Sequence, residues 1–219
     1  MDNRFNEILP SFNSLHPKLS SGNRVIDKFS SCFSFHLFNK KKNASFKTHI
    51  QQLDNLAFDS SSDPSHALII TDTSVKNNIV TSISHTHIYN RPVMKTLHHV
   101  VNVMSTEAEL FTIRCGINQA TNLNNISKII IITDLIHMAK KIFDLSFHPY
   151  QIHAVAIINK LCTFFSCYQE NSIKFWECPS YSNWVLHKAC YESRLKGLSQ
   201  ETTLVLSNTR ELDRVPSTE

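Results

Sequence analysis

The sequence predicts an α/β domain: a five-stranded mixed sheet in the order 3-2-1-4-5, with helices on both faces. Three observations carry this. His66-Ala67-Leu68-Ile69-Ile70-Thr71-Asp72 is an apolar run with β-branched members behind the turn formers Asp63-Pro64, and it reads as a buried strand. The same grammar returns in Ile129-Ile130-Ile131-Ile132-Thr133-Asp134. Between them the period changes from two to that of a helix, so a run of consecutive strands gives way to strand–helix units.

Residues 1–65 are rich in Ser, Asn, Lys and Pro and read as a poorly ordered connector, with 33–38 a candidate strand and 46–56 a candidate short helix. After the first strand, Asn77-Asn78 turns the chain. Ile79, Thr81, Ile83, His85 and His87 then alternate with Val80, Ser82, Ser84 and Thr86, giving a second strand, Ile79–Ile88. Asn90-Arg91-Pro92 turns again, and residues 95–103 supply a third, so the first three strands form an antiparallel meander. His98 and His99 are adjacent in that strand and point to opposite faces. His85 and His87 share a face, expected to be a solvent face, because two imidazoles alone do not make a metal site.

Ser105 reads as an N-cap, and Leu110, Ile113, Ile117 and Ala120 continue an apolar stripe to Asn122-Leu123-Asn124-Asn125. Glu109 shares the Ile113 face by the i, i+4 rule, whereas Glu107 is a first-turn acid favoured by the helix dipole. Residues 127–133 form a nearly all-apolar central strand. Asp134 ends it and opens a helix through Met138, Ala139, Ile142 and Phe143. Pro149 marks the start of another, along the amphipathic stretch 151–168. A fifth strand at 172–178 and a last helix at 184–195 complete residues 66–197 as one domain. Residues 198–219 are a polar tail. The crossovers imply parallel, right-handed pairing of strands one, four and five.

Bulk properties narrow the chemistry. The 219 residues suffice for one domain with a sizeable core plus a tail, and the formal net charge of +4 is compatible with a polyanionic partner. No apolar run approaches the ~18 residues of a membrane span. The polar start Met1-Asp2-Asn3-Arg4 lacks a secretory core. The expectation is an intracellular protein of cytoplasm or nucleus, not a membrane protein. Cys32, Cys115, Cys162, Cys167, Cys178 and Cys190 form no short paired framework, which implies free thiols. A structural zinc on Cys162, Cys167, Cys178, His187 and Cys190 would lack the usual Cys-x-x-Cys knuckle.

Two strand-end aspartates and a glutamate on the intervening helix are the donor set of a metal-dependent phosphodiester hydrolase, since hard divalent cations take carboxylate oxygens. Thr71-Asp72-Thr73-Ser74, Ser105-Thr106-Glu107-Ala108-Glu109-Leu110 and Ile132-Thr133-Asp134 resemble, in that order, the first three acidic motifs of type-1 ribonuclease H. The resemblance is closest to the domains that follow reverse transcriptase in fungal retroelement polyproteins. It implies hydrolysis of the RNA strand of an RNA–DNA hybrid, with two Mg2+ ions (or Mn2+) held by Asp72, Glu109 and Asp134. Asp72 would bridge both ions.

The resemblance also exposes departures. Its fourth acid, an aspartate on the last helix, would fall at Cys190 or Tyr191, and neither is a hard-metal ligand. The glycine common after the first aspartate is Thr73, and the serine common after the third is Leu135. Together these imply an endonuclease impaired by loss of the fourth acid. The alternative is a non-catalytic nucleic-acid-binding or structural remnant of a retroelement polyprotein.

Overall fold

The computed structural model describes residues 25–38, 46–76, 79–88, 91–101, 104–143, 151–197 and 204–206. The chain divides into two compact units, 1–30 and 31–219. Of the first, residues 25–30 are described, and they lie in the 3-10 segment Val25–Cys32. The second unit contains the sheet.

Its sheet strands are β1 (Phe33–His36), β2 (His66–Lys76), β3 (Ile79–Ile88), β4 (Arg91–Val101), β5 (Lys128–Thr133), β6 (Ser172–Glu177) and β7 (Leu204–Leu206). The helices are α1 (Phe46–Ser61), α2 (Ser105–Asn122), α3 (Ile136–Lys141), α4 (Gln151–Cys167) and α5 (Val185–Gly197). The order across the sheet is β1-β6-β5-β2-β3-β4-β7. The five expected strands therefore stand in the expected order, with β2–β3–β4 antiparallel and β2–β5–β6 parallel. The strand count is corrected from five to seven, because β1 adds in parallel to β6 and β7 in parallel to β4.

The two faces follow from strand alternation. Leu68, Ile70, Ile83, Ile130 and Ile132 pack with Leu53 and Ala57 of α1, with Trp184 and with Cys190 of α5. On the other face Ile69 meets α2 at Gly116, where an added Cβ would come within 2.7 Å of the Ile69 Cγ2. Glycine at this point lets the helix backbone lie close against the sheet. Ile69, Ile70, Ile129, Ile131 and Ile132 are all fully buried, each contributing about 1.5–3 kcal/mol of burial.

Within residues 1–65, the candidate strand and the candidate helix are both present, at Phe33–His36 and Phe46–Ser61. β1 is a member of the sheet, and Phe33 and Phe35 stack with Phe143 and Phe175. The α1 helix is fastened at two points. His49 Nε2 lies 2.8 Å from the Glu177 carbonyl, and Trp184 Nε1 donates to Asp54 at 2.8 Å. Residues 1–24 and 39–45 lie outside the described residues, as do Pro149 and, apart from β7, the tail.

Smaller differences have local causes. Met104, not Ser105, occupies the N-cap position of α2, in extended conformation and without a side-chain cap bond. β4 begins at Arg91, four residues before the expected start at 95. His85 and His87 do not form a solvent face. His85 is buried and His87 half-buried, and neither Nε2 has a hydrogen-bond partner. Their face of β3 is the one that carries Ile83, so the helices cover it.

Candidate carboxylate site where β2 and β5 part

Parallel pairing of β2 with β5 brings Ile70 opposite Ile132, so Asp72 and Asp134, 62 positions apart in sequence, come to the same edge of the sheet. Asp72 has the strand parity of Leu68 and Ile70 and therefore faces α1 and α5. The same alternation along Ile130 and Ile132 points toward Asp134. Thr71, Thr73 and Thr133 have the opposite parity and face α2.

Glu109 reaches the strand ends from α2 and is completely buried. Its carboxylate accepts three hydroxyl bonds. Thr71 Oγ1 and Thr133 Oγ1 donate to Oε1 at 2.5 and 2.6 Å, and Thr73 Oγ1 donates to Oε2 at 2.6 Å. Threonines from two different strands thus close on one carboxylate. Such charge-assisted bonds are short and strong, and they offset the cost of burying the acid.

Asp72 is 5% exposed and meets two groups of α5. Arg194 Nε donates to its Oδ2 at 2.5 Å, and His187 Nε2 stands 3.9 Å from its Oδ1. His187 and Arg194 are seven residues apart, so both lie on one face of the helix. Cys190, between them on that face, is buried, and its Sγ points at the carbonyls of Ile70 and Ile83. Tyr191 is exposed, with its ring beneath the Arg194 guanidinium at 4.9 Å. Of the two positions at which a fourth acid was sought, Cys190 faces the sheet and Tyr191 faces outward.

Burial, with Glu109 and Asp72 nearby, pushes the Asp134 carboxyl up to about 7. Burial also lowers the His187 imidazole from its ordinary value, and Asp72 opposes that shift. One ligand atom each from Asp72, Asp134 and His187 lie within 4.8 Å of one another. His187 Nε2 has no hydrogen-bond partner. Glu107, set apart as a first-turn acid, stands 3.7 Å from His153. That contact is not an ion pair near neutrality, since burial and then Arg114 hold His153 down to about 4.

The arrangement does not fit two magnesium ions bridged by Asp72. One oxygen of Asp72 already has a cation, the Arg194 guanidinium. Glu109 is enclosed by three hydroxyls. The last helix offers a histidine, a thiol and an arginine in place of a carboxylate. Sequence reading missed Arg194 entirely and weighed His187 only beside cysteines. The spacing His187–Cys190–Arg194, one buried face of a helix, is the signal that could have found both.

No protein-family profile matches the chain, and no curated protein sequence matches it significantly. Solved structures to which it is similar include ribonuclease H1 of the halophilic archaeon Halobacterium salinarum, at 8% identity and a TM-score of 0.46, covering 61% of this chain and 98% of that one. Another is LC11 ribonuclease H1 in complex with an RNA/DNA hybrid, at 13% identity and a TM-score of 0.43, covering 60% and 99%. A third is the protease-reverse transcriptase of prototype foamy virus, at 12% identity and a TM-score of 0.46, covering 64% of this chain and 22% of that one. The sheet order described above is that of a mixed α/β domain, with Asp72 on β2 and Asp134 just after β5, two adjacent parallel strands.

Proposed function

We propose that the chain is a ribonuclease H-like nucleic-acid domain of retroelement origin, descended from a nuclease that hydrolyses the RNA strand of RNA–DNA hybrids. In it, magnesium-dependent cleavage is impaired. The observation that carries the reading is the Asp72–Arg194 ion pair, just beyond the stretch in which β2 pairs with β5. Asp72 and Asp134 converge at one edge of the β2–β5 pair, but the counter-charge for Asp72 is a side chain of the protein. A fixed guanidinium supplies positive charge without delivering or activating water, so substrate phosphate meets a partly neutralised site with no nucleophile prepared.

The same pair favours a second reading, a non-catalytic module that retains hybrid binding. Recognition would then rest on 2′-hydroxyl and backbone contacts across the minor groove. One experiment separates the readings. Binding of an RNA–DNA hybrid and of the matching DNA duplex is measured by fluorescence anisotropy, and cleavage is followed over a magnesium and manganese series. The expected outcome is preferential binding of the hybrid with weak cleavage that Asp72→Asn abolishes. Strong cleavage in magnesium would remove the impairment. Binding without any cleavage selects the second reading, and failure to bind either duplex removes the nucleic-acid role.

A further inference from the structure

From Asp72, Asp134 and His187 we infer a mononuclear site for a borderline first-row divalent cation of the zinc or cobalt kind, in place of a magnesium pair. The two oxygens of Asp72 have divided tasks. Oδ2 is held by Arg194, whereas Oδ1 faces His187 Nε2 at 3.9 Å. His187 is 95% buried by its 5% exposure, and its Nε2 has no partner. A buried imidazole nitrogen without a hydrogen bond is costly unless something else satisfies it. Here it is aimed at two carboxylates, with ligand atoms from all three residues within 4.8 Å of one another. An ion bonded at about 2.0–2.2 Å to nitrogen and oxygen would draw them together by a small side-chain movement.

The donor set decides the ion. Magnesium demands near-ideal octahedral oxygen ligation and dehydrates reluctantly, so one imidazole among two carboxylates is a poor site for it. Imidazole suits zinc and its neighbours, whose affinities rise along the first row. Arg194 acts here as a charge limit. With one aspartate oxygen already neutralised, the site retains enough negative charge for one dication and repels a second. Glu109, enclosed by threonine hydroxyls on the other face of the strands, is a positioning residue for Thr71, Thr73 and Thr133 and not a ligand.

The inference concerns the same site as the proposed function but rests only on the convergence of these three side chains. Its test therefore contains no nucleic acid. The full chain, stripped with chelator, is titrated with Co2+, and absorption spectra distinguish nitrogen and oxygen ligation from thiolate. The expected result is one Co2+ per chain with a spectrum free of thiolate character, not displaced by a tenfold excess of Mg2+. His187→Ala should weaken binding at least about tenfold. Asp134→Asn, at a half-buried position outside the strands, should weaken it as well while circular dichroism stays native. Binding of two ions, displacement by magnesium, thiolate bands, or unchanged affinity in a folded Asp134→Asn protein would each overturn the site. Hybrid binding measured separately stands or falls without reference to this result.

Discussion

Replacing Arg194 by methionine keeps an unbranched stem and removes the charged guanidinium, leaving the Asp72 carboxylate buried with no cationic partner. At 2.5 Å between Arg194 Nε and Asp72 Oδ2, an effective dielectric near 20 gives a gross attraction of about 6–7 kcal/mol. Desolvation of both groups takes back part of it, and removal of one partner from a buried pair costs about 3–5 kcal/mol. For a unit of this size that loss lowers Tm by about 6–20 °C. The assay is urea denaturation at pH 7 in the presence of chelator, comparing the wild type with Arg194→Met, Asp72→Asn and the double variant. Most of the loss should return in the double variant, because the charge left unpaired is then absent. A loss in Arg194→Met below about 1 kcal/mol, or a double variant no better than the two single losses added, would refute the view that this pair is the internal counter-charge of the site.

Other consequences are equally direct. Burial first, then neighbouring cationic groups, hold His85 and His153 down to about 4 from 6.5. Between those pH values the unfolded chain takes up protons that the folded one refuses. Stability present above pH 6.5 is therefore lost as pH falls toward 4, by about 1.4 kcal/mol per pH unit for each histidine. His153→Gln should flatten the dependence of unfolding free energy on pH between 6.5 and 4.5, and an unchanged slope counts against a buried neutral imidazole. Gly116→Ala places a methyl 2.7 Å from Ile69 Cγ2 and should cost about 1–3 kcal/mol by overpacking, read as a lower Tm. Glu109→Gln exchanges a charged acceptor of three hydroxyls for an amide with one oxygen. A loss of about 1–3 kcal/mol in denaturant midpoint is expected, and a neutral result would show that the threonines find other acceptors.

The central strands were legible because β2 and β5 are apolar enough to be nothing else, and the antiparallel meander because β3 alternates with period two. The order of those five strands then followed from short links and crossover handedness. Of the outermost strands, Phe33–His36 was marked as a candidate strand but not as a member of the sheet, and Leu204–Leu206 was not legible. Phe33–His36 is four residues long and Leu204–Leu206 three, and stretches so short carry little periodicity. Their placement depends on partners distant in the chain. Glu109 was readable as a helix-borne acid and Asp134 as a strand-end one, whereas Asp72, expected at a strand end, lies within β2, which runs on to Lys76. The environment of these acids was not readable, because it depends on which face of each strand meets which helix. Parity put Thr71, Thr73 and Thr133 around Glu109 and left Asp72 to Arg194, a contact 122 residues away in sequence. The burial of His85 and His87 was misread for a similar reason. Alternation says which residues share a face, but only the packed helices say whether water reaches it.

The two outermost strands separate completeness of the site from completeness of the sheet. Asp72, Glu109, Asp134 and the helix that carries Arg194 all lie within residues 66–197. The strands that border β6 and β4 lie outside that span. A protein trimmed to the span would retain its acids and yet present two rows of unpaired backbone donors and acceptors, the template on which strands of separate molecules add to one another. Concentration-dependent self-association after such trimming would reflect uncovered hydrogen-bonding edges and not damage to the core. In the intact sheet the edges are instead Phe33–His36 and Leu204–Leu206, short strands that present few unpaired backbone groups of their own.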